Sequence, residues 1–245
     1  MAAFTSFQTI LPDPNNGVSA AGEVSSTSSN KGPGFASVSI TSGTPIQVSR
    51  TNSGRVITRS AAGHKYEIKI KYNPMTREQF EPVYSFLLQQ NGRLNPFFVE
   101  LPQQYTSRSS AFATHAASNT ITNVQGLTQG ADFMVQAGHS TVQTTTPQPG
   151  DMFTITDTTD SLHKKTYRVT RVMIRDTYHS GLHSNPSTVQ RIVYFNPPLQ
   201  RAVDSGQTID YTPKIRVILK NDIQSYSLGT NNLFSFSLDL EEAQA

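Results

Sequence analysis

The chain has 245 residues, 15% of them charged, with 20 Lys and Arg against 17 Asp and Glu for a formal charge of +3. That length allows one large all-β domain or two small ones, either with a sizeable core. Zero cysteine excludes disulfides, thiolate metal sites and cysteine nucleophiles, zero Trp removes the strongest stacking anchor for a sugar or a base, and so small a positive surplus is a weak nucleic-acid signal.

The first eleven residues carry Phe4, Phe7, Ile10 and Leu11 in a polar context that fits a docking segment or an extra strand. From Asp13 to Gly34 the chain is Pro, Gly, Asn, Ser, Thr and Ala with almost nothing bulky. Such a stretch buries too little surface to offset its ordering entropy, so 1–34 is expected as a flexible arm, either a disordered linker or an arm that orders only on a neighbouring subunit. Strands begin at Phe35–Ile40. Ile46–Arg50 and Val56–Arg59 flank Thr51-Asn-Ser-Gly54, the composition of a tight hairpin turn.

From His64 to Tyr72 the apolar Tyr66, Ile68, Ile70 and Tyr72 alternate with Lys65, Glu67, Lys69 and Lys71, the period of a half-buried strand. Asn73-Pro74 breaks it, and Thr76 with Gln79 has the spacing of a capping box. A helix is expected over 76–91, with Phe80, Val83, Phe86 and Leu87 on one face and Asn91-Gly92 as its stop. Phe97 to Leu101 returns to extended chain. A first domain of sheet plus one helix is therefore expected over 35–102.

Gln103 to Ser118 reads as a long exposed connection, of a length that tends to be functional or linking. Short strand candidates then follow at turn-punctuated intervals from Thr120 to Leu219, the pattern of a small sandwich or barrel with no second strong helix. In the last strand Phe234, Phe236, Leu238 and Leu240 alternate with Ser and Asp. It is expected to return to the first domain, which makes 103–232 an inserted second β-rich domain, and Glu241-Glu242 would blunt its exposed end. The fold class is thus mainly β (α+β), one flanking helix on a sheet plus an inserted small β-sandwich or barrel.

The sequence proposes little chemistry. Among the histidines only His179 and His183 are close, and Gly181 between them puts both on a turn, without the Glu that a helical zinc pair needs. They are expected as solvated loop residues. Asp157 and Asp160 lack the alternating oxygen ligands of a calcium loop and fit a polar turn. No Gly-x-Ser-x-Gly elbow is present, and Gly126 to Gly130 opens no helix and has no following Lys. Accordingly no catalytic, cofactor-binding or metal residue is assigned, no cofactor is expected, and the chain is expected not to be an enzyme. Lys65, Lys69 and Lys71, with Arg50, Arg55 and Arg59, make a positive sheet face that is by default solvated, with pairing to acidic residues across a subunit interface and nucleic acid passing nearby as the second and third readings. So few charges suit a subunit flanked by neighbours. No run approaches the roughly 18 apolar residues that span a bilayer, and Met1-Ala-Ala-Phe-Thr-Ser lacks the basic and apolar regions of a secretory signal, so synthesis in the cytoplasm and no membrane partner are expected.

The order of several stretches resembles a known family. Arg50-Thr-Asn-Ser-Gly-Arg55, the alternating strand, Tyr72-Asn-Pro-Met-Thr-Arg-Glu-Gln-Phe80, Phe86-Leu-Leu-Gln-Gln-Asn-Gly-Arg93 and Phe97 to Pro102 are similar to the distal tail proteins of tailed bacteriophages and gene transfer agents. Pro149-Gly-Asp-Met-Phe153, Lys165 to Thr170, Tyr194 to Leu199 and the final Phe-Ser-Phe strand continue the likeness, which covers most of the chain from Arg50. It implies a tail-tube-like β-sandwich or split barrel, a homohexameric ring joining the tail tube protein to the hub or baseplate protein, DNA only in passage through the lumen, and a place in the virion. It carries no catalytic residues. The 13–34 stretch and the loop from His179 to Asn185 depart from the family pattern. Alternative roles are another tube-like tail component, a tail terminator or baseplate tube initiator, or a host-glycan-binding β-sandwich, for which Tyr105, Phe112 and Tyr178 in loops are the candidate aromatics.

Overall fold

The computed structural model describes residues 9–19, 21–60, 63–102, 104–160, 163–177, 181, 183–222 and 224–243. In chain order these form β1 (Gly17–Val18), β2 (Val24–Ser25), β3 (Phe35–Gly43), β4 (Ile46–Arg50), β5 (Val56–Ser60), β6 (Lys65–Tyr72), α1 (Arg77–Gln89) and β7 (Phe97–Val99). Next come α2 (Ser110–Ser118), β8 (Thr122–Asn123), β9 (Phe133–Ala137), β10 (Met152–Thr156), β11 (Thr166–Met173), β12 (Arg191–Asn196) and β13 (Thr208–Asp210). The chain closes with β14 (Ile215–Leu219), β15 (Tyr226–Leu228) and β16 (Phe234–Glu242). It is mainly β and divides into two compact units, 1–99 with 216–244, and 100–215.

The first unit is a sheet in the order β3-β6-β16-β14-β7, with β15 beside β16. Its centre follows from alternation. Tyr66, Ile68, Ile70 and Tyr72 are at most 3% exposed, and β16 turns Phe236, Leu238 and Leu240 to the same side in antiparallel register with β6. On that side lies α1, burying Phe80, Val83, Phe86 and Leu87, the four residues its sequence period puts on one stripe. The Thr76 N–H donates to Gln79 Oε1 at 3.3 Å, the returning half of a capping box. Asn91 and Gly92 then take φ of 52° and 66°, a left-handed step that ends the helix.

Both boundaries of the expected insertion are corrected. The second unit begins at residue 100 and ends at 215, because β14 lies between β16 and β7 and β15 pairs with β16, so both belong to the first sheet. The expected flexible arm is corrected as well. Phe4 and Phe7 lie outside the described residues, but Ile10 bridges Phe98 in parallel, the Leu11 N–H donates to the Phe98 carbonyl at 2.9 Å, and Leu11 is fully buried, so this stretch caps the β7 edge. Beyond it, Asp13 Oδ1 accepts the N–H groups of Asn15 and Asn16 at 2.7 and 2.8 Å. Gly17 and Gly32 let backbone pass where a Cβ would stand 2.4 and 2.5 Å from Asn30 O and Asp13 N. Hydrogen bonds and close backbone approach, not side-chain bulk, order this segment, and composition does not register either.

The second unit is a closed barrel in the order β10-β11-β12-β9-β8-β13, with β13 back beside β10. Its interior is filled by aromatic side chains: Phe153 stacks on Tyr167 with centroids 5.6 Å apart and meets Phe195 edge-on at 5.6 Å. The expected exposed connection before it contains α2 instead. Ser109 Oγ accepts the Phe112 N–H at 3.2 Å, an N-cap, and the fully buried Phe112 ring meets Tyr211 edge-on at 4.8 Å. The buried Asp151 of the Pro149-Gly-Asp turn accepts the Arg108 and Gln148 N–H groups at 2.9 and 2.8 Å, fastening the start of α2 to the barrel.

Candidate functional surface

Among the described residues the strands β4 and β5 pair only with each other, Ile46 opposite Ser60 through Arg50 opposite Val56. Residues 41–59 are all exposed. The ribbon is about 17 Å long at a rise of about 3.4 Å per residue. Opposed residues of an antiparallel pair share a face, so one face of the ribbon carries Ile46, Val48, Val56 and Thr58 with Arg50 at its far end, while Gln47, Ser49, Ile57 and Arg59 lie on the other. Ile46, Val48, Val56 and Ile57 are 50 to 60% exposed.

The apolar stripe is a continuation. In β3, Val38 and Ile40 stand opposite the buried Ile70 and Ile68 of β6, on the core side of the sheet. The same even-numbered alternation resumes after Thr44-Pro45 as Ile46 and Val48, beyond the end of β3 and β6. A pattern that starts against a core thus runs out into water. An isolated two-stranded hairpin is marginal in water, and among the described residues nothing pairs with or covers this ribbon.

Beside it, β3 is an edge strand of nine residues, Phe-Ala-Ser-Val-Ser-Ile-Thr-Ser-Gly, with no charge, no Pro and no neighbour on its outer side among the described residues. Natural edges are usually protected by charge, Pro or a bulge; β3 has a register irregularity between Phe35 and Ser37 at its start and runs regularly from Ser37 to Gly43. The opposite edge, β7, is capped by Ile10 and Leu11.

The expected positive face of the sheet is largely ion-paired within the chain, Lys71 alone of its three lysines standing exposed without an ion pair among the described residues. Lys65 meets Glu241 at 2.7 Å, Lys69 meets Asp239 at 4.0 Å and Lys220 meets Glu67 at 2.9 Å. The hydrogen bond from Lys65 holds the Glu241 carboxyl below its ordinary range. Glu242, expected to blunt the strand end beside it, is instead buried, with Oε2 accepting the Tyr66 N–H at 3.0 Å. The ribbon differs: Arg50, Arg55 and Arg59 are its only charged residues, so without them 17 basic residues remain against 17 acidic ones. The whole formal surplus of the chain sits on this element.

The other residues singled out in sequence have local structural roles. Asp157 Oδ1 accepts the N–H groups of Thr159 and Asp160 at 2.8 and 3.0 Å, the expected polar turn, and Asp160 pairs with Arg201. His179 and Tyr178 lie outside the described residues. His183, expected in solvent, is instead half-buried, its ring 4.4 Å from Phe133 and its Nε2 on the Tyr194 hydroxyl. Phe112, a candidate loop aromatic, is in the barrel core, and Tyr105 is half-buried. His163 and Tyr167 share a 2.8 Å hydrogen bond inside the barrel unit. Among the described residues no group of three or more His, Asp or Glu is placed to hold a metal ion, and no helix is long and apolar enough to cross a membrane. No protein-family model matches the chain, and no curated protein matches it either.

Proposed function

We propose that this chain is a structural, non-enzymatic virion component that forms a homohexameric ring at the distal end of a phage tail and joins the tail tube to the hub or baseplate. The observation that carries the reading is the β4–β5 ribbon, whose exposed apolar stripe has no cover among the described residues, beside the open edge of β3. Elements of this kind are completed by neighbours: an adjacent copy pairs with the edge and covers the stripe, and closure of the ring leaves no edge exposed. The order of motifs from Arg50 onward, which resembles the distal tail proteins, supports the same reading. So does the ion-paired face of the sheet, since a surface that DNA slides past must not hold it, and paired lysines release few counterions.

Native mass measurement of the purified chain tests this reading. A sixfold species is expected, and Val48→Asp combined with Val56→Asp should return it to monomer while the far-UV spectrum stays that of a β protein. A chain that remains monomeric under all conditions, or an oligomer indifferent to both substitutions, would overturn the role given to the ribbon.

A further inference from the structure

A second exposed feature of the first unit lies away from the ribbon, where α1 passes β15 and the start of β16. Phe80 of α1 stacks on Phe234 with centroids 4.5 Å apart and planes at 8°, and on Tyr84 one helical turn later at 5.2 Å and 22°. Tyr226 of β15 closes the group, meeting Tyr84 edge-on at 5.3 Å. This is more aromatic surface than the local core uses. Phe80 is 2% exposed, but Tyr226 is 49% and Leu228 56% exposed, on a strand with no buried residue. Between helix and strand an open cleft of about 650 Å³ remains, within the range of small-ligand sites.

The cleft combines aromatic and polar walls. Tyr84, Tyr226 and Phe234 supply flat apolar surface, and Arg77, Glu81 and Asn232 stand on the rim. Arg77 and Glu81 are joined as a helical i,i+4 pair and are the only charged residues lining the space, so the rim is neutral overall. An anion would have to displace Glu81 from Arg77, and a cation the reverse. A purely aliphatic ligand would cover these groups and leave their hydrogen bonds unmade, which costs free energy. A ligand that suits both walls has an apolar face and a rim of uncharged hydroxyls.

We infer that the cleft formed by Tyr84, Tyr226 and Phe234 under the Arg77–Glu81 pair binds a neutral saccharide. A pyranose ring lays its C–H face on the Tyr226 and Tyr84 rings, and its hydroxyls donate to Glu81 and accept from Arg77 and Asn232. The site belongs to one copy of the chain and does not depend on the ring.

Intrinsic tyrosine fluorescence and calorimetry on the full chain, titrated with maltohexaose, cellohexaose and chitohexaose, test the assignment; sialyllactose serves as a charged control and a decaproline peptide as an alternative occupant. At least one neutral oligosaccharide should saturate with a Kd on the order of 1 mM or tighter. Tyr226→Ala should weaken it by roughly tenfold or more, Tyr226→Phe should stay within about threefold because the ring is kept, and Glu81→Gln should fall between them. Tyr226 is half in water, so its removal leaves the fold intact, which the thermal transition verifies. Three results would each overturn the inference: no neutral oligosaccharide binding, binding that survives Tyr226→Ala, or saturation by the peptide alone.

Discussion

The two units of this chain treat the edges of their sheets in opposite ways. In the barrel each of the six strands has two neighbours, Phe112 enters its core from α2, and its aromatic centre is sealed by its own residues. Among the described residues β3 of the sheet unit has one neighbour, and the ribbon beyond it has none but itself. Closure removes every unpaired backbone group at no cost in specificity. An open edge keeps such groups for a partner and carries the risk of indiscriminate pairing. The barrel is therefore complete as it stands, while the sheet unit leaves an edge and an exposed stripe that, in the function proposed above, a neighbouring copy completes.

Truncating the barrel core should break this comparison hardest. Phe153 is fully buried among Tyr167, Phe195 and Tyr211, so Phe153→Ala removes a ring from a space that the closed strands cannot refill by collapsing. A loss of about 3–5 kcal/mol is expected in urea unfolding of the barrel transition. A loss near 1 kcal/mol would mean a loosely packed barrel and would remove the contrast.

A smaller effect comes from acid. Burial, with Arg191 and His115 nearby, lowers the His139 pKa from 6.5 to about 3, and burial also lowers that of His163 despite the opposing pull of Asp157 and Asp160, with Arg201 and Lys164 adding to the shift. His139 stacks on Phe112 at 5.8 Å, beneath α2. An imidazole held neutral when folded binds its proton more readily when unfolded, so stability falls as pH falls. The contribution is full above about pH 6.5 and is lost progressively towards about pH 3. The loss is on the order of 1–3 kcal/mol by about pH 4.5. Urea midpoints of His139→Asn should show a shallower slope across that window; an unchanged slope would place the titration elsewhere.

What the sequence revealed and what it hid follow from the physics of each element. The β6 strand, α1 and β16 were legible because side-chain period maps directly onto burial, as Tyr66 to Tyr72 and Phe80 to Leu87 demonstrate. The described residues of 13–34 were hidden because Asp13 and two close-packed glycines order them with little apolar bulk. Helix α2 was hidden because nine residues with one buried side chain give almost no period, although the Ser109 cap was a usable signal. The ribbon was legible as a hairpin, but its exposure was not, since alternation predicts a covered face and says nothing of which chain covers it. Nor did any local pattern place Tyr226 beside Tyr84, which lie far apart in sequence and meet only through the β15–β16 pairing.

The smallest effect on folding is expected where the proposed function is most exposed. Val48 is 60% exposed and stands opposite Thr58 on a ribbon that touches no core, so Val48→Ser removes a side chain that buries little in the isolated chain. Its unfolding free energy should change by less than about 0.5 kcal/mol when measured on dilute monomer. At concentrations where copies associate, the same substitution should lower the apparent stability, because a valine covered by a neighbour contributes about 1.5–3 kcal/mol on burial. A concentration-dependent difference between wild type and Val48→Ser would show that the stripe is covered by another copy. Equal stabilities at every concentration would show that the ribbon is only a marginal hairpin in solvent.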